Sequence, residues 1–221
     1  MPVHWERAVE SLKRQVLSLG GHVEESLRLA VRAFLEGDVE TARRLIAGDD
    51  DLDLREVEIE EECLKLLALY HPVASDMRFV VAILKLNNDL ERIGDLAVNI
   101  AELTLKWDRP PGGHSLELAR MAEQTQALLK KALDALVNRN AILAHQVRQA
   151  DDAIDAFQQR AEERLHQAVR EGQAEQVERL VAEWNAAHQL ERVADHATNI
   201  AEDVIYLVEG RIVRHHPQTE P

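Results

Sequence analysis

Leu90-Glu91-Arg92-Ile93-Gly94-Asp95-Leu96-Ala97-Val98-Asn99-Ile100-Ala101-Glu102 returns one hundred residues later as Leu190-Glu191-Arg192-Val193-Ala194-Asp195-His196-Ala197-Thr198-Asn199-Ile200-Ala201-Glu202, with nine of the thirteen positions identical. The four residues carrying side-chain oxygen (Glu, Asp, Asn, Glu) are among the nine. On a helix turning roughly 100° per residue, Glu91, Asp95, Asn99 and Glu102 fall at about 0°, 40°, 80° and 20°, on one face. Leu86, Leu90, Ile93, Leu96, Ala97 and Ile100 fall between about 140° and 260°, which is the core side. Each half of the chain is thus expected to carry a helix with an oxygen-bearing stripe opposite its apolar stripe.

A repeat offset of one hundred in 221 residues favours two similar halves. Aromatic residues make up 4%, charged residues 30%, and there are only 9 glycines and 6 prolines. Strand formers and turn punctuation are therefore scarce, and an all-α protein is expected. The net charge of -14 argues against nucleic acid as a partner, because binding a polyanion depends on Lys and Arg displacing counterions. Cations or basic protein surfaces suit it better. One cysteine, Cys63, excludes an intramolecular disulfide, and no secretory signal opens the chain, which reads as cytoplasmic. The longest apolar run, Phe79 to Leu84, is six residues against the roughly 20 needed to cross a bilayer. Membrane association is expected only through a partner.

Apolar positions at Val9, Leu12, Val16, Leu19, Val23, Leu27, Ala30 and Phe34 predict one long helix from Trp5, with Gly20 and Gly21 placed to loosen its middle. Gly37 and Asp38 then form a stop and an N-cap. A second helix follows along Leu45, Leu52, Ile59, Cys63, Leu66 and Tyr70 until His71 and Pro72 close it. A third starts near Ser75 and carries the motif to about Trp107. The segment Asp108 to His114 holds two prolines and two glycines and reads as the linker between halves. The pattern then restarts: Leu118 to Val137, then Val147 to Ala168, then Val177 to Val208 with the second motif. The count is three helices plus three, in a first repeat over 1–108 and a second over 114–210, with residues 211–221 expected to be disordered. Trp5, Trp107 and Trp184 are expected to anchor helix packing.

The repeat extends to the preceding helix of each half. Asp49, Asp50, Leu52, Asp53 and Glu60 are matched by Asp151, Asp152, Ile154, Asp155 and Glu162 at an offset of 102. With Leu45 as zero, Asp49, Asp53, Glu56 and Glu60 lie at roughly 40°, 80°, 20° and 60°, beside the apolar seam, where acids border a neighbouring helix. If that neighbour is the motif helix, each half has two facing rows of carboxylates. Acids at i and i+4 repel one another, and several oxygen donors on one face are spaced to share hard cations. Glu91, Asp95, Asn99 and Glu102, Glu191, Asp195, Asn199 and Glu202, with Asp49/Asp53 and Asp151/Asp155, are therefore the metal-ligand candidates. His188 and His196 would add nitrogen suited to iron, nickel or zinc, whereas Asn88 and Leu96 stand at those places in the first half. The competing reading is a set of solvated helix faces in an acidic chain, with Arg92 and Arg192 neutralising Asp95 and Asp195 at i+3. His71, His145 and His166 read as surface or loop residues.

An enzymatic alternative, a ferritin-like di-iron carboxylate protein, needs Glu-x-x-His from two helices, and only Glu163 to His166 has that spacing. No Gly-rich phosphate loop, G-x-S-x-G elbow or recognisable Cys/His pair is present in the sequence. A structural helical scaffold without metal is the third reading.

The duplicated L-E-R-[IV]-[GA]-D-x-A-x-N-I-A-E, the G-D-D-x-[LI]-D pattern at Gly48 to Asp53, and His71, Pro72, Ala74, Asp76 and Arg78 together resemble the PhoU family of bacterial phosphate-uptake regulators, over nearly the whole chain. The resemblance implies two tandem three-helix bundles related by a pseudo-twofold, with six long antiparallel helices, assembled as a homodimer. It implies metal clusters on the motifs Glu91/Asp95 and Glu191/Asp195, with iron foremost and zinc, nickel, manganese or magnesium as further candidates. It also implies a non-enzymatic negative regulator of phosphate uptake and of the phosphate-starvation response. As partners it implies the phosphate ABC transporter ATPase, PstB, and the sensor histidine kinase, PhoR. Ala194 in place of Gly94 departs from the family habit of glycine there, which bears on packing rather than on ligands.

Overall fold

The computed structural model describes residues 3–106 and 116–213. Seven helices follow one another: α1 (Val3–Glu36), α2 (Val39–Ala47), α3 (Asp49–Tyr70), α4 (Ser75–Lys106), α5 (Leu116–Val137), α6 (Ala141–Arg170) and α7 (Ala174–Glu209). They form six rods, because α2 and α3 are the two pieces of a rod that the apolar periodicity predicts as continuous. The break is at Gly48, whose N–H donates to the carbonyls of both Arg44 and Leu45 at 3.1 Å and so ends α2. Asp49, Asp50 and Asp51 then occupy the first turn of α3, where negative charge complements the helix dipole.

The other stops act as their chemistry dictates. Gly37 takes φ 71° after α1, and the Asp38 carboxylate caps α2 by accepting from the Thr41 N–H at 3.0 Å. His71 ends α3 in the left-handed region at φ 46°. Asn140 caps α6 by accepting from the Leu143 N–H at 3.1 Å. Gly20 does not loosen α1, which runs unbroken through it. A β-carbon there would lie 3.1 Å from Leu133 of α5, so the glycine serves the close approach of two helices instead. Trp5 packs edge-on to Tyr70 with centroids 5.5 Å apart, and Trp184 stacks on His188. Trp107, the Asp108 to His114 linker and the tail beyond Val213 lie outside the described residues.

Helices α1, α2/α3 and α4 make one three-rod set and α5, α6 and α7 the other, joined where α4 lies along α7 and α1 meets α5. Leu12, Leu19, Leu27, Ile83, Leu86, Leu90, Ile93, Leu96, Ile100 and Met121 are fully buried in a hydrophobic core that runs through both sets. The α4–α7 seam carries the signature of the twofold. Asn99 donates to Gln189 at 3.3 Å and Asn199 donates to Asp89 at 3.4 Å, two contacts related by the hundred-residue offset. His196 Nδ1 lies 2.8 Å from the same Asp89 Oδ1, and Lys85 reaches the buried Asp203 at 3.4 Å. Among the described residues no helix is long and apolar enough to cross a membrane.

Candidate metal centre

Helix α3 packs along α4, and α6 along α7. The motif helices bury Leu90, Ile93, Ala97 and Ile100 in one half and Leu190, Val193, Ala197 and Ile200 in the other. That leaves Glu91 and Asp95, and Glu191 and Asp195, at the margin where the preceding helix lies alongside. Asp49, Asp53 and Glu56 of α3 repel Asp95 and Glu91, and Asp151 and Asp155 of α6 repel Asp195 and Glu191. The two facing rows of carboxylates therefore exist in both halves.

The rows are only partly compensated by neighbouring cations. Burial, then neighbouring acids, raises Asp49, Glu56 and Glu91 in the first half and Asp155 and Glu191 in the second. Burial also raises Asp195, against the lowering pull of His196, Arg192 and His188. Asp151 is pushed up to about 7 by burial and by Asp155, Asp195, Asp152 and Glu191. Arg92 does lean over the first motif, 3.3 Å from Glu91 and 3.4 Å from Asp95, but from an exposed position where an ion pair is weak. His188 stands 3.6 Å from Glu191.

The stripe of four oxygens divides into three destinations. Eleven residues of helix separate Glu102 from Glu91 by about 16 Å, too far to share one ion. Glu102 pairs with Lys106 at 3.2 Å and Glu202 with Arg148 of α6 at 3.2 Å. Asn99 and Asn199 turn to the α4–α7 seam, and His196 is held there by Asp89. The cluster proper is Asp49, Asp53, Glu91 and Asp95, and its counterpart Asp151, Asp155, Glu191 and Asp195. Glu56, absent from the sequence-based ligand set, joins the first row while accepting from Asn87 at 2.8 Å. Its signal in the sequence was its place at about 20° on the α3 wheel.

By donor type the clusters fit a hard cation, since they offer carboxylate oxygens: Asp151 Oδ1 is buried with no hydrogen-bond partner, and the buried Glu91 Oε2 has only its ion-pair contact with the exposed Arg92 at 3.3 Å. By placement they are open: among the described residues no three His, Cys, Asp or Glu side chains converge as they stand to hold an ion. The two halves also differ in access. The break at Gly48 opens a cleft of about 480 Å³ beside the first cluster, between His22, Ser26 and Leu29 of α1, Arg44 and Leu45 of α2, and Asp49 and Gly94. In the second half α6 runs unbroken past its acids. Glu163 and His166, the pair required by the di-iron alternative, are exposed on α6 and do not enter the core.

Asp151 makes the second cluster pH-sensitive. Its folded-state value lies near 7 and its unfolded value near 3.9, so between those limits the native chain holds a proton that the unfolded chain has released. Stability from this group is therefore full below pH ~4 and falls as pH rises to ~7. Asp151→Asn is expected to stabilise the protein by about 1–2 kcal/mol at pH 8, allowing for screening of a half-buried carboxyl. Urea midpoints at pH 5 and pH 8 check this, and a gain that is no larger at pH 8 than at pH 5 would rule it out.

The PhoU domain family matches the chain twice, over residues 16–104 and 118–204. The phosphate-specific transport system accessory protein PhoU homolog of Synechocystis sp. is 36% identical over 209 residues, covering 94% of this chain and 92% of the relative. The homolog of Aquifex aeolicus is 36% identical over 210 residues, covering 95% of each. Among solved structures, the crystal structure of PhoU from Pseudomonas aeruginosa superposes with a TM-score of 0.88 at 35% identity, covering 94% of this chain and all of that one. The phosphate transport system regulatory protein PhoU from Streptococcus pneumoniae gives 0.87 at 28%, covering 95% and 99%.

Proposed function

The chain belongs to the PhoU family, and from that premise we propose that it is a non-enzymatic negative regulator of phosphate uptake and of the phosphate-starvation response. It acts as an adaptor between the ATPase of the phosphate ABC transporter and the sensor histidine kinase, works in the cytoplasm as a homodimer, and binds cations on its two carboxylate clusters. The observation that supports this reading best is the paired rows of acids, one in each half, raised by burial and by one another, on a fold whose relatives are named as accessory or regulatory proteins of phosphate transport. Asp49, Asp53, Glu91 and Asp95 would hold metal in the first half, and Asp151, Asp155, Glu191 and Asp195 in the second. Asn99, Glu102, Asn199 and Glu202 lie farther along the same helices and would enter only on leaving their present partners. Iron leads, with zinc, nickel, manganese and magnesium behind it. The all-oxygen first cluster suits harder ions, and His188 beside Glu191 suits iron, zinc or nickel.

A bound cation supplies positive charge. The chain's own part is to present the acids with only exposed cations such as Arg92 and His188 beside them, and to hold their helices in place through the buried seam. Neutralising several carboxylates changes the sign of the surface offered to a partner, and so sets which partner fits.

Elemental analysis of protein purified without chelator is expected to find metal whose stoichiometry falls in Glu91→Ala/Asp95→Ala and again in Glu191→Ala/Asp195→Ala. Both variants keep the buried seam and are expected to fold. Affinity for the purified ATPase and kinase should change by about tenfold or more on metal removal, about 1.4 kcal/mol. Unchanged affinity in folded, metal-free protein would end the coupling, and absence of metal from the unaltered protein would leave the structural scaffold.

A further inference from the structure

Helix α3 is apolar on two sides. One side holds Leu52, Ile59, Cys63 and Leu66 in the core. The other presents Leu54, Val57 and Leu64 to solvent at 63%, 48% and 53% exposure. With Glu61 and Ala68 these residues recur at spacings of three and four, which is the seam of a helix pair with one acid set into it. The offset of 102 puts Ala156, Gln159 and His166 at the matching positions of α6, so the apolar seam belongs to the first half alone.

The charge around the seam identifies what covers it. Between Asp49 and Tyr70 there are nine carboxylates against Arg55 and Lys65. Asp53 and Glu60 flank the seam on one side; on the other Glu58 lies beside Lys65, which reaches Glu61 at 3.7 Å, and all of these are exposed. A second copy of this chain docked by the same face would bring the two Asp53/Glu60 rows together and set two acidic helices against each other, nine carboxylates on each against two cations. A helix with leucine-like residues at the same spacing and Lys or Arg facing Asp53 and Glu60 complements the apolar seam and its acidic flank. We propose that the exposed face of α3 is the docking site for a basic amphipathic helix of a partner protein. This rests on the adaptor reading above, and it adds which surface is used and the chemistry of the segment that binds there.

The test uses the full chain and a synthetic leucine/lysine helix of about 18 residues, five turns, with leucines spaced three and four. A shuffled peptide of equal composition is the control. The amphipathic peptide is expected to bind one to one, and Leu54→Gln/Val57→Gln/Leu64→Gln to weaken it about tenfold. Ala156→Ser/Gln159→Ala/His166→Ala should leave binding unchanged. The three α3 residues are exposed, so the variant is expected to fold. Glu61→Lys gives an independent arm, weakening the basic peptide and admitting a leucine/glutamate one.

Equal binding of the shuffled peptide would reduce the effect to bulk charge and overturn the proposal. So would conversion of a dimer to a monomer by the triple substitution in sedimentation. If the purified ATPase and kinase bind the triple variant as tightly as the parent, the surface is wrong while the adaptor reading stands. If neither binds even the unaltered chain, the adaptor reading fails separately, whatever the peptides do.

Discussion

His196→Leu will lower stability by about 2–3 kcal/mol, although it installs the residue that the first repeat carries at the matching place, Leu96. Asp89 is buried on α4 and faces His196 Nδ1 at 2.8 Å and Asn199 at 3.4 Å. Removing the imidazole leaves a carboxylate out of water with one long contact, and the desolvation cost of that group is then unmet. The first repeat solves the same position differently, since Leu96 is apolar and the residue across the seam from Asn99 is the neutral Gln189. Asp89→Gln in the His196→Leu background should therefore recover most of the loss, because both sides of the seam then read Asn to Gln. Urea unfolding of the two singles and the double gives the coupling directly. A coupling near zero would mean that Asp89 is hydrated and the seam is not the joint between the halves.

Gly94→Leu will cost about 3 kcal/mol and will weaken cation binding at the first cluster while leaving the second alone. A β-carbon at Gly94 would stand 2.8 Å from Leu52 Cδ1 and 3.2 Å from Cδ2, and Leu52 is itself buried between α3 and α4. A single methyl moves only the tip of a flexible side chain. Gly94→Ala is thus expected to cost about 1 kcal/mol or less, after the ~1 kcal/mol by which alanine is the better helix former. A full leucine has no such escape and pushes α3 off α4, carrying Asp49 and Asp53 away from Asp95 and Glu91. Leu52→Ala should restore both stability and binding. Thermal unfolding and titration with a divalent cation measure the two effects. Loss of stability with undiminished first-site affinity would show that the two helices need not be close for the acids to act together. Ala194 at the matching place of the second half is buried with its methyl already accommodated, so the departure from glycine there concerns packing alone.

Much of the site could be read before any coordinates. Two copies of a thirteen-residue stretch, identical at nine positions, placed Glu91/Asp95 and Glu191/Asp195 on one helix face opposite the apolar stripe, and the wheel of the preceding helix put Asp49, Asp53 and Glu56 beside a neighbour. Both follow from the 3.6-residue turn, which needs only the order of residues. The wheel erred by collapsing length. It put Glu102 at 20° from Glu91 without the ~16 Å of rise that sends it to Lys106. It also placed Asn99 with the acids, where the structure turns it to Gln189, because a helix in a bundle has two neighbours and periodicity names neither.

The break at Gly48 was hidden for a similar reason. The apolar seam from Leu45 to Leu52 keeps a helical period across it, and only packing of α2 against α1 and α4 makes the nick worthwhile. By itself, then, the order of residues determined the duplication, which needs only comparison of one stretch with another, and the all-helical class, the element ends at Asp38 and His71 and the acidic character of two helix faces, which are properties of near neighbours in the chain. Tertiary structure decided which margins face each other, that α4 and α7 share the seam tied by Asp89 and His196, and that one apolar face of α3 is left bare. Those depend on contacts between residues from about forty to about a hundred positions apart, for which local periodicity carries no term.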